Sequence, residues 1–258
     1  MNVIAIIPAR MGASRFPGKP MEKICCIPMI GHVYFRTKLA DTFSETYVAT
    51  CDEAIFNYIE SIGGKAIMTL DEHERATDRT AEALSIIESK GTQVDVVIMV
   101  QGDEPLLMPE MLDTLIPPFV DDKKLQVTNL MGALNSDIEF KDPNEVKVVC
   151  DLNNHALYFS REAIPSTKKW DGAVPMKKQL GIIAFRSDYL KKFSQLEQTP
   201  LEKIESVDMM RVLEHGEHIK MIMTDYETIG VDTPEELNRV SIIMKNDNLL
   251  KLYKNLAT

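Results

Sequence analysis

Short, nearly uninterrupted apolar runs alternate along this chain with stretches in which apolar residues recur every three or four positions. "NVIAIIPA" predicts a buried strand, "MIGHVYFRTKLAD" a helix, "TYVATC" a second strand, and "DEAIFNYIESIGG" a second helix closed by Gly63 and Gly64. "TDRTAEALSIIESKG" predicts a third helix with Thr77 as its N-cap. "VDVVIMVQGDEP" predicts a strand so apolar that it belongs inside a sheet, ending abruptly in polar residues. This alternation predicts an α/β fold, a parallel sheet covered by helices.

Beyond about residue 130 the rhythm changes. "VKVVCDLNNHALYFS" predicts a hairpin turning at Asn153 and Asn154, and "KKQLGIIAFR" a further strand. "LEKIESVDMMRVLEHG" and "TPEELNRVSIIMKN" predict helices. No repeat or low-complexity tract breaks the chain, so residues 1–258 read as a single domain with an inserted section at 133–190.

Composition narrows the function classes. With 258 residues, 45% of them hydrophobic, the chain can bury a sizeable core. A formal charge of -10 argues against binding to nucleic acid or to an anionic membrane, since both need an extended basic face. No apolar run is long enough to span a bilayer and the start lacks a secretion signal, which predicts a cytoplasmic protein. Cys25, Cys26, Cys51 and Cys150 show no C-x-x-C spacing and read as reduced packing residues.

In open α/β sheets ligands bind beyond the carboxyl ends of the strands, and three such places carry chemistry. The first is "IIPARMGASRFPGKP", where Gly12 and Gly18 allow the chain to curl while Arg10, Arg15 and Lys19 converge on a polyphosphate. It lacks the spacing of a P-loop or a dinucleotide fingerprint. The second is "VQGDEP", which places Asp103 or Glu104 at a sheet edge where a hard cation can sit. The third is "IGVDTPEE", in which Asp232 is either a metal ligand or, with Thr233, the cap of the following helix. No Ser-His-Asp or Cys-His set is evident. His215 and His218 read as a helix end, His73 as part of a loop, His32 as a helix-face residue and His155 as a turn residue.

These segments, with "PMIGHVY", "VATCDE", "TDR…AE", "DPNEVKVV", "ALYFSREAIP", "PLEKIE", "RVLEHG" and "VDTPEEL" in order, resemble the 3-deoxy-manno-octulosonate cytidylyltransferases. The resemblance covers nearly the whole chain. It implies a Rossmann-like nucleotidyltransferase fold of GT-A type, a mixed and mostly parallel sheet flanked by helices, with a small dimerisation subdomain. It implies transfer of a cytidylyl group from CTP to a sugar acid, most simply 3-deoxy-D-manno-octulosonate (Kdo), with release of pyrophosphate. By resemblance, Arg10, Arg15 and Lys19 hold the triphosphate, Arg79, Gln101 and Gly102 help place the nucleotide, and Asp103 and Asp232 bind Mg2+. Lys19, Asp103, Asp232 and Arg10 are then the catalytic set, and a homodimer is the expected state.

The resemblance weakens where the acceptor would bind. Gln179 stands where family members usually have a histidine, Ile183 and Phe185 replace an aromatic pair, Met209 replaces a glutamine and Ser166 a tryptophan. Arg75 and Ala76 replace a Ser-Gly pair, and Ala13 a loop serine. These departures keep open a different acid, such as 8-amino-Kdo or a nonulosonic acid, a nucleoside triphosphate other than CTP, and a catalytically silent nucleotide-binding homologue.

Overall fold

The computed structural model describes residues 1–12 and 16–257. Through residue 113 the elements are β1 (Val3–Ala9), a 3-10 turn at Lys19–Met21, β2 (Lys23–Ile24), β3 (Ile27–Pro28), α1 (Met29–Lys38), β4 (Glu45–Thr50), α2 (Glu53–Ser61), β5 (Lys65–Met68), α3 (Ala76–Ser89), β6 (Val96–Val100) and α4 (Pro109–Asp113). Next come α5 (Pro117–Asp121), β7 (Val127–Ala133), α6 (Asp137–Lys141), β8 (Lys147–Cys150), β9 (Ala156–Ser160), β10 (Lys177–Arg186), α7 (Ser187–Phe193), α8 (Pro200–Glu205), α9 (Met209–Glu214) and β11 (Ile219–Met223). The chain closes with α10 (Pro234–Met244), α11 (Leu250–Tyr253) and a 3-10 turn at Lys254–Leu256. Strand pairing is mixed, with helices flanking the strands, which is the expected fold class.

Two compact units divide these elements. One comprises Met1–Asp113 with Thr228–Thr258, the other Thr114–Glu227; the section expected at 133–190 lies inside the second.

In the first unit, β1 pairs in parallel with β4 and β6, and β4 in parallel with β5. All seven residues of β1 and all five of β6 are buried, as befits parallel strands packed on both faces. Helices α1, α2 and α3 pack on these strands, α2 through Ile55 and Ile59, one turn apart. Gly63, at φ 71°, ends α2: its N-H donates to the Glu60 carbonyl and that of Gly64 to the Ile59 carbonyl, the paired bonds of a Schellman motif.

The C-terminal segment is tied to α1 by a buried polar cluster. Arg36 forms an ion pair with Asp247 and donates to the Leu107 carbonyl at 2.9 Å. His32 Nε2 donates to the Ile24 carbonyl at 2.8 Å, so Nδ1 accepts from the Tyr253 hydroxyl at 2.9 Å. Burial pushes the His32 pKa from 6.5 down to about 4. The neutral ring therefore supports the fold fully above pH 6.5, and that support is lost as pH falls toward 4, because the unfolded chain takes the proton first. The loss amounts to about 3 kcal/mol. Denaturant midpoints of the parent protein should fall across this window, and the curve of His32→Asn should be flatter.

In the second unit, β7 pairs in parallel with β11 and antiparallel with β10, while β8 joins β10 and β9 antiparallel. The predicted β8–β9 hairpin is present, with Asn154 at φ 59° in its turn; His155 lies just past that turn, bridging to Lys220. The helix expected over 201–216 is two helices, because Ser206 adopts a left-handed φ of 53° between α8 and α9. A buried pair joins them: Arg211 donates to Glu202 through Nε at 2.7 Å and Nη2 at 2.6 Å. Among the described residues, no helix is long and apolar enough to cross a membrane.

Candidate active site

The candidate site lies within the first unit, where β1, β4 and β6 end. Arg10 follows β1 directly. The next residue, Met11, donates its N-H to Asp52 at the end of β4 (2.8 Å), and its carbonyl accepts from Gly18 N-H (2.9 Å). Gly18 takes φ 79°, which a side chain would resist, and so delivers Lys19 into the 3-10 turn. Arg15 and Ala13, both singled out from sequence, lie outside the described residues.

Lys19 is the hub. Its Nζ donates to Asp103 Oδ2 at 2.8 Å, Asp232 Oδ1 at 2.8 Å and the Val231 carbonyl at 2.9 Å. Burial alone would pull the ammonium's pKa down, but the charges and hydrogen bonds of Asp103 and Asp232 outweigh it and hold it above 10.5. The three groups come from residues far apart in sequence. Asp103 follows β6 through Gln101 and Gly102, and its carbonyl accepts the Val231 N-H at 2.9 Å, which draws the last segment alongside. Gly102 permits the close fit, since a Cβ there would stand 3.1 Å from the Pro8 carbonyl oxygen and 3.3 Å from Ile30 Cδ1.

The geometry gives the capping box of α10 to Thr233. Thr233 caps α10 in a capping box, its hydroxyl accepting from Glu236 N-H at 3.2 Å while Glu236 accepts from the N-H groups of Asp232 and Thr233. The Asp232 carboxylate is thus available to Lys19 instead of to the helix.

A cavity of about 270 Å³ opens beside these groups, lined among others by Arg10, Lys19, Arg75, Arg79, Gln101, Gly102, Asp103 and Asp232. Four cations and three acids line it, so it is locally positive in a chain of charge -10. Arg79 is buried, and its donors go to Thr69 Oγ1 at 2.5 Å, the Leu70 carbonyl at 3.0 Å and the His73 carbonyl at 3.4 Å. It fixes the 69–73 wall. Arg10 reaches the same His73 carbonyl at 3.3 Å, and the His73 ring meets Glu82 at 2.6 Å, which also accepts from Leu70 N-H. Sequence reasoning missed Glu82 as the anchor of this wall; its one signal is its place one turn after Asp78 on a helix beginning at the cavity.

The N-cap of α3 lies two residues earlier than predicted: Arg75, not Thr77, is the N-cap residue, and Thr77 is buried in the first turn. Arg75 and Ala76 therefore sit on the cavity wall.

A family model described as cytidylyltransferase matches residues 4–219. A 3-deoxy-manno-octulosonate cytidylyltransferase of Acaryochloris marina is 41% identical over 245 residues, covering 95% of this chain and 98% of its own length. One from Fusobacterium nucleatum is 42% identical over 249 residues, covering 96% and 99%. The chain belongs to the 3-deoxy-manno-octulosonate cytidylyltransferase family. The solved structure of a CMP:2-keto-3-deoxy-manno-octonic acid synthetase complexed with CTP superposes with a TM-score of 0.88 at 38% identity, covering 95% of this chain and 99% of that one. A glucose-1-phosphate thymidylyltransferase-like structure from Bacillus anthracis shares the fold at a TM-score of 0.64 and 14% identity.

Set against the family pattern, the second unit's departures divide by burial. Ile183, Phe185 and Met209 are buried, with Phe185 against Phe193 at 6.3 Å between ring centroids. Their apolar character suits packing. Gln179 is half-buried beside a β-bulge, and its Nε2 donates to Asn129 Oδ1 at 2.7 Å. Buried Asn129 is itself oriented by donating to the carbonyls of Leu130, Leu180 and Ile182.

Proposed function

We propose that this chain transfers the cytidylyl group of CTP to Kdo, giving CMP-Kdo and pyrophosphate, in the cytoplasm, where nucleoside triphosphates are supplied, for lipopolysaccharide or other surface-glycan synthesis. The observation that carries this reading is the meeting of Lys19, Asp103 and Asp232 on the wall of a cation-lined cavity. The names of relatives that match it over nearly their whole length support the same reading.

The residues present suit magnesium. Asp103 and Asp232 are hard oxygen donors, each 2.8 Å from one ammonium. Among the described residues no group of three His, Cys, Asp or Glu side chains is placed to hold a metal. Magnesium takes one or two carboxylates and completes its shell with water and substrate phosphates, whereas zinc sites need more protein ligands. When bound, magnesium would neutralise phosphate charge and make the α-phosphorus more electrophilic.

The chain's own residues do the rest. Arg10 and Lys19 offset the triphosphate's charge, and the Gln101–Gly102 segment, held against β1, orients the nucleotide for in-line attack. The acceptor's anomeric hydroxyl oxygen forms a bond to the α-phosphorus, that hydroxyl's proton passes to solvent water, and the bond from the α-phosphorus to the bridging β-phosphate oxygen breaks with departure of pyrophosphate. Positioning and charge carry the reaction, so no nucleophilic side chain is needed.

A second reading keeps the chemistry and changes the acid to 8-amino-Kdo or a nonulosonic acid; the Gln179 amide, pinned to Asn129, favours it. Pyrophosphate release with CTP, magnesium and each acid in turn decides between them. Turnover on Kdo is the expected result, and turnover on another acid alone selects the second reading. Competition among CTP, UTP, ATP and GTP tests the base. Gln179→His should change the acid's KM by about tenfold, the effect of roughly one hydrogen bond, while the KM for CTP stays within twofold. No turnover on any acid, with magnesium-independent CTP binding, would identify a silent homologue. We also propose a homodimer through the second unit, where Leu152, Leu157 and Ile204 are exposed; light scattering tests it.

A further inference from the structure

One pair of nucleophiles has no part in this chemistry. Cys25 and Cys26 form the two-residue loop of the β2–β3 hairpin, whose register pairs Lys23 with Pro28 and Ile24 with Ile27. Both take positive φ, 49° and 73°, the requirement of a type I′ turn that favours Asn and Gly and strains other side chains. The hairpin is held on both sides of this tip. Met29 N-H donates to the Glu22 carbonyl at 2.8 Å, and buried His32 donates to the Ile24 carbonyl at 2.8 Å. Both thiols are free, with Cys26 exposed and Cys25 half-buried.

A direct disulfide between adjacent cysteines closes a tight ring around one peptide bond and demands a distorted backbone. A single bridging atom enlarges that ring and accepts a wider separation of the sulfurs. From this we infer that Cys25 and Cys26 form a vicinal dithiol site for a soft, thiophilic centre of the trivalent arsenical class. With an arsenoxide the step balances without an oxidant. Two arsenic–sulfur bonds form, the two thiol protons leave with the arsenic-bound oxygen as one water, and arsenic stays trivalent. Cys51 and Cys150 have no cysteine neighbour in sequence: Cys51 lies against Asp52, and the Cys150 thiol meets the Met131 thioether at 3.8 Å.

Phenylarsine oxide, added to the whole protein in excess glutathione and followed by intact mass spectrometry, tests the site. One phenylarsenic per chain is expected, resistant to the monothiol and removed by a vicinal dithiol reagent. Cys25→Ser and Cys26→Ser should each abolish it, and the Cys51→Ser/Cys150→Ser double variant should retain it. The Cys25→Asn/Cys26→Gly double variant installs residues the turn prefers, so it should melt no lower than the parent and bind no arsenical. The inference is overturned by a parent protein that takes up no arsenical, by an adduct that survives in Cys25→Asn/Cys26→Gly, or by its loss from Cys51→Ser/Cys150→Ser.

Discussion

Lys19→Met should lower kcat/KM for CTP by about a hundredfold to a thousandfold, the range seen when a preorganised charge is removed from a developing anion. The side chain touches two carboxylates and a carbonyl at 2.8–2.9 Å, so its loss removes a phosphate-binding cation and leaves Asp103 and Asp232 facing each other unscreened. Lys19→Arg should rescue little, because a planar guanidinium does not match three acceptors arranged around a compact ammonium. Pyrophosphate release at saturating acceptor measures both variants. Activity within threefold of the parent in Lys19→Met would remove Lys19 from the mechanism.

The second large effect separates neighbours. Asp232→Asn keeps volume and removes charge, so turnover should drop by about a hundredfold or more while the melting temperature barely moves. Thr233→Ala should do the reverse, costing about 1 kcal/mol of stability through the lost α10 cap while sparing turnover to within about twofold. Paired denaturation and turnover measurements give a crossed result if the roles are as the geometry has them. Equal loss of turnover in both would return Asp232 to a capping role.

This pair also shows where sequence stopped. An acid before T-P-E-E carries the same letters whether it caps a helix or faces a cavity, and only the Thr233–Glu236 capping box separates the two. The strands β1 and β6 are legible because burial on both faces demands apolar runs, Asp103 as an acid just beyond such a run, and Lys19 as a cation of the glycine-bearing loop that follows β1. β7 escapes sequence reading because buried Thr128 and Asn129 interrupt its apolar pattern; Thr128 donates to the Leu115 carbonyl and Asn129 to those of Leu180 and Ile182, distant in sequence. The 201–216 stretch reads as one helix because its periodicity persists across Ser206, where the backbone changes hand. Arg79 was legible as a site residue by resemblance, but its commitment to the 69–73 wall depends on tertiary contacts alone.

The first unit is discontinuous: its final portion begins at Thr228, after all of the second unit has been made. A nascent polypeptide that has left the ribosome only as far as Glu227 already holds Lys19 and Asp103, yet it still lacks Asp232. Premature termination between Glu227 and Asp232 would therefore leave the strands in place and the reaction centre one carboxylate short. Synthesis has to pass Asp232 before this protein can work.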